Sequence, residues 1–271
     1  MSKLISIVTP TYNEEDNIVE LCNEVQKIFN EIGYQYEHII IDNNSEDNTV
    51  LKVKNLIKQN QSIKLIVNNK NYGHLLSPFY GIKQSSGDAT ILINADFQDP
   101  PELIIKLVKS WENGNKVTLL QKIKSDESIL MNYSRKFYYW FLSKTSSNNL
   151  TQNTTGSGII DKSIVDLLKK INDPLPYLRG LLAELSPEIS LIKFEQPSRK
   201  RGKSKNNFFT LFDLAMIGLI KQSKFFLRFM TICGLTISII SFFISIIFLT
   251  LKLIFWEQFE IGKAPLLIGL F

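Results

Sequence analysis

Apolar positions along the first 120 residues alternate between two rhythms. Leu4–Thr9 is a short apolar run that Pro10 stops, the mark of a buried strand. Ile18, Leu21, Cys22, Val25, Ile28, Phe29 and Ile32 then recur at helical spacing, which makes Cys22 a core position. Asn13 is placed to cap this helix, with Glu14, Glu15 and Asp16 in its first turn, and Gly33 is placed to end it. The run His38–Ile41 predicts a second strand, 49–58 a helix and 64–67 a third strand. Residues 77–85 follow as a helix and 89–93 as a strand. Pro101 opens another helix that reaches Gly114, with Asp99 as its cap, and 117–120 is a further strand. Such alternation predicts a mainly parallel sheet covered by helices, an α/β fold.

The rhythm changes after Lys224. From Phe225 to Trp256 only Arg228 and Lys252 are charged, and Phe229–Leu251 is continuously apolar or weakly polar. At 1.5 Å per residue these roughly 23 residues reach about 35 Å, enough to cross a hydrocarbon core of about 30 Å. We therefore expect a transmembrane helix over 225–254. Just before it, 207–224 has the apolar surface of a helix lying in the membrane interface. Lys221, Lys224 and Arg228 flank the span and favour a cytoplasmic N-terminal part, at an inner or plasma membrane. Beyond a short polar turn, APLLIGLF (264–271) is too short to cross and reads as the start of a second transmembrane helix, cut short. The opening MSKLISIV does not have the form of a signal peptide.

Composition sharpens this division. Of 271 residues 44% are apolar and 21% charged, as in folded proteins, and the net charge is +5. Two cysteines and two histidines exclude a disulfide framework and a multi-histidine metal site. The five basic residues Arg199, Lys200, Arg201, Lys203 and Lys205 equal the whole net charge, and they stand just before the interfacial segment.

In parallel sheets ligands bind at the carboxyl ends of the strands. The segments after the first four strands are TPTYNEEDN, DNNSEDN, NNKNYGH and NADFQDPPE, all polar and two of them rich in carboxylates. No glycine-rich dinucleotide or P-loop motif is present. Asp42 suits either a turn in its Asn/Asp-rich loop or a hydrogen bond to a base or ribose. Asp96 and the side-chain oxygen of Gln98, two residues apart, can share one hard divalent cation, with a nucleoside diphosphate supplying further oxygens.

IVTPTYNEEDNI, IIIDNNSED, NNKNYGH and INADFQDPPE, in this order, resemble the family 2 glycosyltransferases of the GT-A fold. The likeness is to the branch that transfers a sugar to a polyprenyl phosphate, and it extends to the membrane end. The resemblance implies a Rossmann-like mixed, mainly parallel sheet within a cytosolic domain of residues 1–206. It places Pro10, Tyr12, Glu14, Asp42, Asn71, Gly73, His74, Ala95 and Asp96 in nucleotide-sugar binding. It gives Asp96 and Gln98 to Mg²⁺ or Mn²⁺. RKRGKSK matches the branch's Arg-x-x-Gly-x-Ser-Lys pattern, so Arg199, Ser204 and Lys205, with Arg135, would hold the acceptor phosphate. Asp96, Arg135, Arg199 and Lys205 are then the catalytic set. Two departures stand out. Asn94-Ala95-Asp96 replaces the usual Asp-x-Asp, and Asp42-Asn43-Asn44-Ser45 replaces Asp-Asp-Gly-Ser. Asn94 stays an oxygen donor but is neutral, and Asn44 can take the left-handed conformation of the missing glycine.

The implied partners are a nucleoside-diphosphate sugar (UDP ahead of GDP), polyprenyl phosphate and membrane lipids; a homo-oligomer stays open. The basic cluster can also dock on anionic headgroups, at about 1 kcal/mol per residue. Beside a membrane helix it does not suggest nucleic acid. A lipid phosphate is largely ionised at neutral pH and needs little help from a base, so Ser157, where some relatives carry Asp, is not read as one. In-line attack would invert the anomeric centre. The competing readings are an inactive GT-A membrane partner and a transferase to a hydroxyl acceptor in surface-polysaccharide synthesis. The Gln-x-x-Arg-Trp motif of processive synthases is missing.

Overall fold

The computed structural model describes residues 3–123, 138, 140–142, 144–145, 154–186, 188–197 and 208–256. The chain divides into two compact units, Met1–Gln222 and Ser223–Phe271. The first unit is built on seven strands: β1 (Leu4–Thr11), β2 (Gln35–Asp42), β3 (Ile63–Val67), β4 (Ala89–Leu92), β5 (Val117–Lys122), β6 (Thr154–Asp161) and β7 (Ser190–Phe194). They form one sheet in the order β3-β2-β1-β4-β6-β5-β7. All run the same way except β6, which is antiparallel to both β4 and β5. The parallel core expected from the alternation is present, and the sheet is mixed and mainly parallel, as the family resemblance implies.

Helices cover both faces of the sheet, and the central strands β1, β2 and β4 are buried on both sides. α1 (Ile18–Ile32), α2 (Thr49–Gln59) and α4 (Leu103–Glu112) pack on one face, against Ile5, Ile7, Ile40, Ile91 and Ile159. α3 (Gly73–Gln84), α5 (Lys162–Lys170) and α6 (Leu178–Leu185) cover the other, against Val8, Ile39, Ile41, Leu92 and Ile160. Neighbours such as Ile7 and Val8 thus serve opposite cores, as a period of two requires. Cys22 lies in the core, where burial pushes its thiol up to about 12. Gly33 ends α1 in the left-handed region, at φ 72°, with its N–H donating to the Phe29 carbonyl.

Three expectations need correction. Pro10 does not stop β1, which continues to Thr11. The Val8 carbonyl accepts from Ile93 N–H on the β4 side, and the Thr11 carbonyl from Asn43 N–H on the β2 side. By alternation Pro10 faces the β4 side, beyond the last paired residue of β4, so its missing N–H costs no ladder bond. Asn13 does not cap α1: the helix begins at Ile18, and Asn13 instead binds the loop after β2. α3 begins at Gly73, a turn before the expected start, because the Asn71 side chain accepts from Gly73 N–H at 2.8 Å and secures the first turn. Pro78 then sits inside the helix, and the His74 carbonyl loses its helical donor.

α7 (Phe208–Gln222) belongs to the first unit. Its Ala215 carbonyl accepts from the Tyr138 hydroxyl, and Lys221 pairs with Asp173 at 2.7 Å. Gly218 and Leu219 are buried, whereas Phe212 and Ile220 are exposed. In the second unit, α8 (Phe225–Ile254) contains a 28-residue stretch, Leu227–Ile254, long and apolar enough to cross a membrane and not buried within the protein. The run 264–271 lies outside the described residues.

Candidate active site

The carboxyl ends of β1, β2, β3 and β4 lie side by side, so the four polar segments meet along one edge of the sheet. The first two interlock. Thr11 is in register with Asp42. Asp42 is fully buried; its Oδ1 accepts from the Thr11 and Ser45 hydroxyls, and its Oδ2 from Ser45 N–H at 2.8 Å. Asn13, at φ 54°, donates its N–H to Ser45 and accepts from Glu46 N–H through its side chain. Asn44 takes the left-handed conformation expected of it, at φ 62°. Asp47 accepts from Glu15 N–H and caps α2 through Thr49 N–H. A cleft of about 370 Å³ opens between these loops, lined by Asn13–Asn17, Glu46 and Asp47. Glu14 is therefore on the cleft, and Asp42 pins the loop that forms its floor.

Asn43 ties in the third segment. Its side-chain oxygen accepts from Asn68 and from Tyr72 N–H, and its amide donates to the Gly73 carbonyl. This brings Asn71, Gly73 and His74, at the start of α3, beside the loop after β2. His74 is exposed at the surface; partial desolvation and the neighbouring Arg179 charge both lower its pKa. Arg179 itself donates to the Thr154 carbonyl at 3.1 Å.

The fourth segment carries the strain. Phe97 has φ 59°, a left-handed conformation that a bulky side chain adopts only when held there. Its ring is 3% exposed, anchored in the core beneath the sheet. The burial of Phe97 forces the turn that carries Asp96 and Gln98, with Gln98 N–H donating to Asp96 Oδ1 at 3.2 Å. Ala95 is buried and Asp96 is 9% exposed. Asp99 does not cap α4, which starts at Leu103. It is fully buried, and its Oδ2 accepts from the Asn94 amide at 2.9 Å and the Ser157 hydroxyl at 2.6 Å. Burial pushes its carboxyl above the usual range. Ser157 reaches it because β6 is antiparallel: Gly158 is in register with Leu92, so the residues before Gly158 overhang the end of β4.

Among the described residues no three His, Cys, Asp or Glu side chains are grouped to enclose a metal. One carboxylate with neighbouring amide oxygens is instead a partial donor set, the kind that fits an ion also held by a ligand's phosphates. Arg135, Arg199, Ser204 and Lys205 lie outside the described residues. Phe97, Asp99 and Arg179 carried no sequence signal for these roles: Phe97 reads as an ordinary core residue and Asp99 as a helix cap.

The chain resembles known proteins over most of its length. It is 28% identical to an uncharacterized glycosyltransferase of Synechocystis sp., over 98% of this chain and 84% of that one. It is 29% identical to the bactoprenol glucosyl transferase of Shigella phage SfV, over 88% of this chain and 78% of that one. Among solved structures, glucosyl-3-phosphoglycerate synthase from Mycobacterium tuberculosis, in complex with Mn²⁺, uridine diphosphate and glucosyl-3-phosphoglycerate, superposes with a TM-score of 0.58. That match has 16% identity and covers 81% of this chain and 78% of that one, and it shows the shared GT-A fold. The model of glycosyl transferase family 2 matches residues 6–165, and with that match the chain belongs to the family 2 glycosyltransferases.

Proposed function

We propose that this glycosyltransferase moves a sugar from a nucleoside-diphosphate sugar, UDP-linked in our reading, to a polyprenyl phosphate at the cytoplasmic face of a membrane, with inversion. The observation that carries this is the joining, on one chain, of the Asp96 edge of the sheet to an exposed apolar helix of membrane length. The likeness to bactoprenol glucosyl transferases extends over 88% of the chain, and so supports a lipid-phosphate acceptor. The uridine diphosphate and Mn²⁺ of the mycobacterial synthase complex support the donor and a divalent cation.

In this reading the cleft beside Glu14 receives the nucleotide, and Tyr12 with the segments around Asp42 and Asn71–His74 would hold it in place. Asp96 and Gln98 would hold Mg²⁺ or Mn²⁺, which when bound neutralises charge on the departing diphosphate. Arg135, Arg199, Ser204 and Lys205 bind the acceptor phosphate and steer its oxygen to the anomeric carbon from the side opposite the leaving group. An ionised phosphate needs positioning more than deprotonation, so the work falls on orientation and charge. Phe212 and Ile220 on α7 meet the lipid surface, and α8 crosses it.

The neutral Asn94 favours one rival, an inactive GT-A membrane partner. Membranes containing the chain, given radiolabelled nucleotide sugars, polyprenyl phosphate and Mn²⁺, decide between them. Lipid-linked sugar that disappears with Asp96→Ala supports the transferase. No product from any donor, with nucleotide binding retained, supports the partner.

A further inference from the structure

The carboxylate that the proposed reaction leaves unused is Asp99. It is fully buried, it meets no cation among the described residues, and the side chains of Asn94, Thr155 and Ser157 surround it. A buried charge is costly unless hydrogen bonds hold it. Here its Oδ2 collects two from the site: the Asn94 amide at 2.9 Å and the Ser157 hydroxyl at 2.6 Å. Asn94 Nδ2 also lies 3.4 Å from Ser157 Oγ. In these contacts the Asn94 amide presents its Nδ2 to Asp99 and Ser157. With Nδ2 committed to Asp99, the planar group turns its Oδ1 the opposite way, and that oxygen has no partner among the described residues. An aspartate at position 94 would instead set a carboxylate oxygen against Asp99 Oδ2, with no N–H between them. Asn94 is thus matched to Asp99 and Ser157, and its neutrality belongs to this arrangement.

We propose that Asp99 is a positioning residue: it holds the Asn94 amide so that the Asn94 side-chain oxygen becomes a neutral third donor, beside Asp96 and Gln98, to the divalent cation of a nucleoside diphosphate. This rests on the function proposed above. Partners that orient metal-ligating groups typically contribute about ten- to a hundredfold in metal affinity.

The test is Mn²⁺ binding to the full chain in detergent micelles, read by electron paramagnetic resonance with UDP present and, in parallel, GDP. Asp99→Ala is expected to weaken Mn²⁺ binding about tenfold. Asn94→Ala is expected to lose as much, and the double variant no more than either single one, because both remove the same oriented oxygen. Asp99→Asn keeps an acceptor oxygen and is expected to bind within about twofold of the wild type. Asp99→Val, which fills the volume without an acceptor, replaces Asp99→Ala if that variant does not fold. Unchanged Mn²⁺ affinity in the acceptor-less variant, or losses that multiply in the double variant, overturns the inference and leaves the transferase reading standing. A wild-type chain that binds no Mn²⁺ with either nucleotide overturns both.

Discussion

At the scale of single residues, the site depends on a few carboxylates whose surroundings differ sharply. Asp96 lies at the edge of the sheet, 9% exposed and accepting from Gln98 N–H, whereas Asp42 and Asp99 are fully buried and hold loop and strand contacts. Asp96→Ala is therefore expected to lower transfer to polyprenyl phosphate by about a hundredfold or more, measured as lipid-linked product, with the fold intact. A second prediction concerns His38. It is completely buried, its Nε2 pairs with the Thr9 hydroxyl, and burial lowers its pKa to about 3. In the unfolded chain it takes up a proton near pH 6.5, and in the folded chain only near 3. Its contribution to stability is therefore whole above pH 6.5 and lost as pH falls through that window, at up to about 1.4 kcal/mol per pH unit. Urea unfolding at pH 7.5 and 5.5 is expected to show this loss, and His38→Gln to remove it. Glu37 adds a second loss at lower pH. Burial alone would raise its pKa, but Lys64, Ser6 and Ser86 outweigh burial and hold it at about 2. Its stabilisation thus fades as pH drops from 4.5 towards 2.

At the scale of elements, the hydrophobic rhythm located most strands and helices, because periods of 2 and 3.6 are imposed by the faces each element buries. α1 keeps the apolar stripe and the Gly33 end read from the sequence, since both are local signals, but it starts at Ile18 rather than just after Asn13. The failures came where a local signal competed with a distant partner. Asn13 has the chemistry of a cap, yet Ser45 and Glu46, more than thirty residues away, claim it. Pro10 has the chemistry of a strand breaker, yet it stands where β4 has already ended. Strand β6 makes the same point in packing. A Cβ on Gly158 would lie 2.9 Å from Leu119 Cα and closer still to the Thr118 carbonyl, next to the register shift between Leu119 and Gln121. Gly158→Ala is expected to cost about 1–3 kcal/mol, seen as a lower melting temperature. It should also reduce transfer, because Ser157 and its contact with Asp99 move with the strand.

At the scale of the whole molecule, the basic run Arg199–Lys205 precedes α7, whose Lys221 is already paired with Asp173. If that run holds the acceptor phosphate, Arg199→Ala and Lys205→Ala are each expected to raise KM for polyprenyl phosphate about tenfold, the size of one lost charge-assisted hydrogen bond. KM for the nucleotide sugar should stay unchanged. Kinetics with both substrates varied will check this. Sequence alone determined the family, the α/β class, the helical segments 208–222 and 225–254, and the edge of the sheet where the polar segments meet. The class and the helical segments follow from periodicity within contiguous stretches, the family from the resemblance of an ordered set of motifs, and the edge from the rule that ligands bind at strand carboxyl ends. Only the tertiary structure decided that β6 runs against its neighbours, that Phe97 is held in a left-handed turn, and that Asp99 gathers Asn94 and Ser157. Ser157 lies 58 residues beyond Asp99 in the chain. No periodicity records such a contact, because it depends on which strands pair and in which direction.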